Sequence, residues 1–364
     1  MEIKSKTVTE GNSINEIINA LNILKNSGYE KKSNDDYIIF AAKNGHIDVL
    51  EWYKKQRLNY CNSQAIKSAS QNGHINVLKF WKNNGYEIDC DEFIIEDTSQ
   101  NGHIDVLEWW KNNVHMFDRK YTDKAIEYAA KNGHIDVLEW WKNSGYEFKY
   151  TYKAIDGASF YGHVNVLEWW KNSGYEFKYT KNAIDYGKST VLLEWWKNSG
   201  YEFKYTKHAT NYASSEGHVD VLEWWKNSGY EFKYNDYFIS SICSSGHVDV
   251  LEWWKNSGYD FEYTKSAIES ASQHGHVNVL EWWKNSGYEF KYDERAVNYA
   301  AAMGHIDVLE WFHNSGYEFK YDDYARLNYE ENGHVNISEW FKQKGYEFKG
   351  DKLFKIITID DGDY

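Results

Sequence analysis

The sequence predicts an all-α fold: a solenoid of helical hairpins repeated along one continuous array. Three observations predict it. A Gly-His dipeptide recurs along the chain, starting at Gly45, Gly73, Gly102, Gly133, Gly162, Gly217, Gly246, Gly275, Gly304 and Gly333, and most gaps are 29 residues. That period lies within the range of solenoid repeats. The gap from 162 to 217 is close to two periods and contains "KSTVLLEWWKNSG", a copy that lacks its Gly-His, so the units number 11. Each unit carries two short apolar stripes at helical spacing, each closed by a glycine.

The unit that starts at Thr151 shows the pattern. Its first position is an N-cap residue, whose side-chain oxygen accepts an otherwise unpaired amide of the first turn. The matching positions elsewhere are Asn34, Asn62, Asp91, Thr122, Thr180, Thr206, Asn235, Thr264, Asp293 and Asp322. Ala154, Ile155 and Ala158 follow at +3, +4 and +7, one face of a short helix. Gly162 ends that helix, because glycine tolerates the left-handed conformation past a helix C-terminus. The second helix reads HVNVLEWWKNS. Val164, Leu167 and Trp170 lie three apart, Val166 and Trp169 widen the stripe, and Glu168 and Lys171 take the opposite side. Gly174 closes it, and "YEFKY" alternates apolar and charged residues as a short extended connector.

All 18 tryptophans fall in two adjacent slots of the second helix. Where tryptophan is missing, Tyr53, Phe80, Phe312 or Phe341 stands in, and near the N-terminus the slots hold Ile23 and Leu24. Substitution by any large apolar side chain is the behaviour of a core position. Burial of each ring contributes roughly 1.5–3 kcal/mol. The alternative is a surface aromatic ladder.

The array is bounded at 34–349. Residues 1–33 are expected to form a flexible lead (1–13) and a half-repeat cap (14–28) that aligns with the second helix alone. Residues 350–364 are expected to form a C-terminal cap and an acidic tail. Two internal breaks stand out. "NNVHMFDRKYT" (112–122) has two extra residues, and "DYGKSTVLLEWW" (185–196) has lost three. The deletion is expected to shorten the first helix or tilt the stack, with a change of superhelical twist near 186–192.

The net charge of −14 argues against nucleic acid, because phosphate neutralisation needs clustered Lys and Arg. Cys61, Cys90 and Cys243 are widely spaced and odd in number, which excludes a disulfide framework or a zinc motif and fits a reducing compartment. The polar start MEIKSKTVTEGNS lacks the apolar core of a signal peptide, and no uncharged stretch has the length of a membrane span. A cytoplasmic location is the expectation. The column of histidines offers no shared metal site: stacked helices lie roughly 8–10 Å apart, and a zinc ion needs each nitrogen at about 2.1 Å. No phosphate-cradling loop or nucleophile elbow is present. Neither an enzyme, a cofactor nor a metal is expected.

The run "AAKNGHIDVLEWWKNSGYEF" resembles ankyrin repeats. The resemblance rests on the small pair Ala129-Ala130, the Asn132-Gly133-His134 turn, the Ile135-Asp136-Val137-Leu138 helix start and the closing Gly145. Trp140 and Trp141 occupy two apolar positions that are usually leucine in that family. Tryptophan-rich short units of this kind look like those of large DNA viruses of amoebae and of some protists, which would place the chain in a host cytoplasm. Two features depart from the family. Its Thr-Pro-Leu-His start is replaced by Thr-x-x-Ala-Ile, and the unit is about four residues short of the usual period of roughly 33. The missing residues fall where the β-hairpin fingers would be, so the fingers are expected to be truncated or absent.

The resemblance implies a non-catalytic scaffold that binds a partner protein, which for a viral chain would be a host protein, through the concave helix surface. Helix positions +2 and +6 from each cap form an exposed stripe that differs freely between units: Lys124, Tyr128, Lys153, Tyr186, His208, Tyr212, Tyr237, Arg295 and Tyr299. Tyr and Arg are favoured at interface hot spots. The bland alternative is that these are unconstrained solvent positions. A monomer is expected. The rival functions are a self-associating structural component and, more weakly, glycan or small-ligand binding by exposed aromatics.

Overall fold

The computed structural model describes residues 34–56, 61–115, 117–235 and 238–347. The expected half-repeat, C-terminal cap and acidic tail lie outside the described residues. Among the described residues there are 22 α-helices, from Asn34–Lys43 to Val335–Gln343, with one 3-10 turn at Phe117–Arg119 and no strand. The helices alternate as hairpins, such as Lys124–Lys131 with Ile135–Asn143 and Tyr152–Phe160 with Val164–Asn172. The connectors are extended without pairing, so the fingers are absent here, as the short period predicts. The chain divides into two compact units: Met1–Ile184 with Trp195–Lys204, and Asp185–Glu194 with Tyr205–Tyr364.

Caps form where the sequence places them. The Asn62 and Asp91 carboxyl or amide oxygens accept the amides of Ala65 and Ile94, each at 2.8 Å. The hydroxyls of Thr122, Thr151, Thr180 and Thr206 each accept, at 3.2 Å, the amide two residues on. The Gly-His turn has two reasons for its glycine. Gly102 has φ +81, and a Cβ there would lie 2.8 Å from Cε1 of His134 in the following repeat. Two of the histidines tie a repeat to the one before: His276 and His305 bond the carbonyls of Ser244 and Gln273 through Nε2, at 2.8 and 3.0 Å.

The two tryptophan slots have different fates. The second slot is core: Trp81, Trp110, Trp141, Trp170, Trp196, Trp254 and Trp283 are fully buried among the valines and leucines of the second helices. A buried indole N–H needs an acceptor. In the first unit Trp110, Trp141 and Trp196 donate to the hydroxyls of Ser70, Ser99 and Ser159, at 3.1, 3.3 and 2.8 Å. In the second unit Trp254 donates to Ser214 at 3.1 Å and Trp283 to the Cys243 sulfur at 3.3 Å. Each acceptor stands eight residues past the cap of the preceding repeat.

The first slot is half-buried in most repeats and reaches back to a glutamate. In the first unit Trp140, Trp169 and Trp195 donate to Glu108, Glu139 and Glu168, each at 2.9 Å. In the second unit Trp224, Trp253, Trp282, Trp311 and Trp340 donate to Glu194, Glu223, Glu252, Glu281 and Glu310, at 2.6–2.9 Å. The glutamate that the helical wheel sets on the solvent side is therefore an inter-repeat acceptor, also held by an asparagine one turn on, as Glu139 is by Asn143.

The irregular repeats differ from the others in local structure. The two extra residues at 112–122 form the 3-10 turn, which buries Phe117 against Trp141 at 6.1 Å and Tyr121 at 6.4 Å. The deletion cuts one first helix to Asn182–Asp185, the shortening that the missing residues predict.

Two predictions follow from these bonds. Ala130 takes the serine position opposite Trp170, whose buried Nε1 has no hydrogen bond of ordinary geometry, while Ser272 faces Phe312 and its hydroxyl is unpaired. Ala130→Ser should raise stability by about 1 kcal/mol, Ser99→Ala should lower it by about 1–3 kcal/mol, and Ser272→Ala should cost nothing. Thermal and urea unfolding check the order of the three; equal effects of Ser99→Ala and Ser272→Ala would rule out the bond. The second concerns acid. Hydrogen bonds from tryptophan and then asparagine hold Glu139 and Glu168 below their usual 4.5. Lys344, then Trp340, holds Glu310 at about 2. A folded pKa below the unfolded one stabilises fully above the unfolded value and is lost as pH falls through the folded value. Tm should thus hold down to about pH 5 and fall below about pH 4. The Glu139→Gln, Glu168→Gln double variant should show a shallower fall in this window; an identical profile would refute the carboxylate's role.

Candidate protein interface

The residues of the predicted stripe sit on first helices, and the local fold decides which of them face solvent. In the first unit, Lys124 and Lys153 are exposed and Tyr128 is half-buried. The acids of the same helices turn inward. Glu127 is buried and accepts the hydroxyl of the Thr151 cap. Asp156 accepts both the amide and the hydroxyl of Thr180, at 2.8 and 2.5 Å. Burial raises the Asp156 pKa, and the two Thr180 bonds pull against it. The outcome in these two helices is a charge separation: Glu127 and Asp156 go to the next repeat's cap, and Lys124 and Lys153 stay in water.

Three large exposed rings join this face. Phe93, Tyr152 and Tyr161 are 51%, 45% and 51% exposed, well above the half-buried tyrosines of the stripe. Lys67 lies 5.7 Å above the Phe93 ring and Lys131 5.2 Å above Tyr161. Exposed cation–ring contacts contribute about 0.5–1 kcal/mol and set the side-chain direction. Phe93 stands at +2, within the predicted register. Tyr152 and Tyr161 stand at +1 and +10 and were missed. A signal existed for Tyr161: asparagine holds the same position at Asn44, Asn72, Asn101 and Asn132.

In the second unit, Tyr186 and Tyr212 are half-buried and meet edge to face at 5.1 Å, and His208 is exposed beside them in sequence. Tyr299 meets the half-exposed Tyr324 at 6.5 Å. Met303 and Leu327 add exposed apolar surface on the same repeats. Arg295 is committed within the fold. Its Nη2 lies 2.7 Å from Glu269 and 3.2 Å from Asp293, so it ties one first helix to the one before. Partial burial works to raise the Asp293 pKa, but the Lys265 ammonium and the Arg295 guanidinium hold it at about 2. Tyr237 lies outside the described residues.

No cluster of three or more His, Cys, Asp or Glu able to hold a metal occurs among the described residues. No helix among them is long and apolar enough to cross a membrane.

Residues 268–313 match the family model described as ankyrin repeats (many copies). No curated protein matches the chain. Among solved structures, the pentatricopeptide repeat protein PPR10 from maize is similar at 14% identity and a TM-score of 0.34, over 93% of this chain and 52% of that one. The chain thus spans about half the length of the maize protein. The same maize protein in complex with an 18-nt psaJ RNA element is similar at 12% identity and a TM-score of 0.30, over 85% and 58%. The human ASB11 ankyrin repeat domain is similar at 13% identity and a TM-score of 0.25, over 63% of this chain and 86% of that one. Likenesses this distant say nothing of what the chain binds. The family match covers two adjoining hairpins that are similar to ankyrin repeats, and a hairpin of the same form recurs at its own period from Asn34–Lys43 to Val335–Gln343.

Proposed function

We propose that the chain is a non-catalytic protein-binding scaffold whose partner lies along the exposed faces of the first helices. Ankyrin repeats are generally protein-interaction modules and typically have no catalytic role. One observation carries the reading: the acid five residues past the cap, as at Glu96, Glu127, Asp156 and Asp185, turns to the next repeat's threonine, while large rings stand exposed on the first helices and their turns. Phe93, Tyr152, Tyr161 and Tyr324 expose about half of each side chain on faces that the repeat does not need for its own packing. Tyrosine and aromatic rings of this kind are large, stiff contacts with little rotamer entropy to lose on binding. The helices that carry them are held from within by the core and the caps, so the surface is formed before the partner arrives.

The reading is tested by affinity capture with the intact chain and with an alanine variant at Tyr128, Tyr152, Tyr161, Tyr212 and Tyr299. The variant should keep its circular dichroism and lose a specific partner that the intact chain retains, with hot-spot losses of about 2 kcal/mol or more at the dominant positions. Equal recovery by both proteins would remove the first-helix face from the reading.

A further inference from the structure

The net charge of the chain is −14, yet one stretch of the first unit has the opposite sign. It follows three successive caps, Thr122, Thr151 and Thr180. Lys124, Lys153 and Lys181 are exposed there, and Lys131 is half-buried with its ammonium 5.2 Å above the Tyr161 ring. Lys124 and Lys153 stand two residues past their caps and Lys181 one. The preceding repeat fixes where they stand. Thr151 gives its hydroxyl to Glu127, and Thr180 gives its amide and hydroxyl to Asp156 at 2.8 and 2.5 Å. The same bonds take both acids away from solvent. Over residues 122–133, 151–162 and 180–184 the one other acid is Asp123, which is half-buried.

The sign reverses in the earlier repeats of this unit. Asp35, Asp36 and Glu92 are exposed on their first helices, and Lys67 is taken by Asp97 at 3.2 Å. The basic stretch is therefore short. It still governs what a ligand meets on this face, because charges farther apart than about 8 Å are largely screened at physiological ionic strength. Exposed rings accompany the ammonium groups. Tyr152 precedes Lys153, and Tyr161 lies beneath Lys131. The stem of Lys131 passes over Gly157, where a Cβ would already touch it at 3.4 Å.

We propose that this face binds an extended acidic segment of a partner protein, with a carboxylate at every third residue. Helices stack at roughly 8–10 Å, and an extended chain rises about 3.3 Å per residue. A segment laid along the stack thus brings every third side chain to the lysine of the next repeat, and the residues between meet Tyr152 and Tyr161. Lysine suits this task, since a point charge on a flexible stem accepts a carboxylate from many directions. A polynucleotide fits less well. Its affinity grows with phosphates neutralised, on the order of 6–10 for a typical complex, and it would run onto Glu92, Asp35 and Asp36. The inference rests on the reading of the chain as a protein-binding scaffold and names the partner's chemistry on the same face.

The probe is a fluorescein-labelled synthetic peptide of the repeated triplet Glu-Ser-Leu, titrated with the full chain and followed by anisotropy. Its comparisons are a peptide of the same composition with all glutamates at one end, the triplet Gln-Ser-Leu, and an oligouridylate of similar length. The spaced glutamate peptide should bind, and more weakly as salt rises; the glutamine peptide should not. The variant Lys124→Gln, Lys153→Gln, Lys181→Gln should weaken binding about tenfold. The variant Lys142→Gln, Lys171→Gln, with both lysines exposed on second helices, should leave it unchanged. Circular dichroism checks that both variants keep the fold. No binding of the spaced peptide at about 1 mM overturns the proposal. So does equal loss in the two lysine variants, because the attraction would then be general. Equal binding of the clustered peptide overturns it as well, since the spacing of the repeats would not be read. Tighter binding of the oligouridylate through the same three lysines would assign the face to nucleic acid instead. If the acidic peptide fails while the tyrosine variant still loses its captured partner, the scaffold reading stands and only the acidic partner falls.

Discussion

Seven of the eleven repeats carry two adjacent indoles, which join them to the repeat before and whose N–H groups must be satisfied. One indole is buried completely and has only a serine hydroxyl, or in one case a thiol, within reach. The other is half-buried and takes a carboxylate. A hairpin of two short helices cannot bury an indole alone, since its own faces are too small to enclose the ring. The neighbour encloses it and supplies the acceptor, so stability arises at the junction rather than within the repeat. The exceptions expose the pairing. Trp170 meets Ala130, and Ser272 meets Phe312, so an indole loses its serine acceptor at one junction and a hydroxyl is unpaired at another. Both halves of the bond can drift independently in sequence, because the partners lie about forty residues apart and nothing local links them.

Periodicity made the hairpins, the caps and the core readable in advance. The +3, +4 and +7 stripe of the first helix and the Val-Leu-Trp stripe of the second are buried as the helical period requires, and the threonine, asparagine and aspartate caps accept the amides expected of them. The shortened helix at Asn182–Asp185 followed from simple counting of residues. Periodicity could not assign the two tryptophan slots separately. Adjacent residues in a helix differ by about a third of a turn, enough to place Trp141 inside and Trp140 on the rim, but a run in which both slots are aromatic hides the difference. The glutamate ladder was hidden for a related reason. A helical wheel shows Glu139 facing away from its own core, and only the neighbouring repeat reveals that Trp169 waits there.

The candidate interface was legible in register and incomplete in membership. Lys124 and Lys153 are exposed where the +2 position puts them, whereas Arg295, at the same position, is drawn into ion pairs with Glu269 and Asp293. The difference comes from the preceding repeat. Where the acid five residues past the cap is engaged by a threonine hydroxyl, as with Glu127 and Asp156, nothing remains to attract a cation. Asp293 offers no hydroxyl to Glu269, and the guanidinium takes its place. A residue's availability to a partner thus depends on a choice made one repeat earlier. Tyr161, at the turn position where Asn44, Asn72, Asn101 and Asn132 stand in other repeats, is available because the turn bonds made by asparagine side chains there are absent.

Near-identical copies carry little information about function, because duplication alone produces sameness. What separates one repeat from the next is where a specific role can reside, provided the departure has a physical consequence. Tyr161 in place of asparagine adds an exposed ring beneath a lysine. Cys61 and Cys90 stand where eight later repeats carry tyrosine, and both line a cavity of about 1020 Å³. By contrast, the exchange of tryptophan for phenylalanine at Phe312 changes only a buried contact and presents nothing to the outside. The same criterion therefore separates departures that tune the stack from departures that open it to another molecule. It points to the first-helix face near Tyr161, within the first unit.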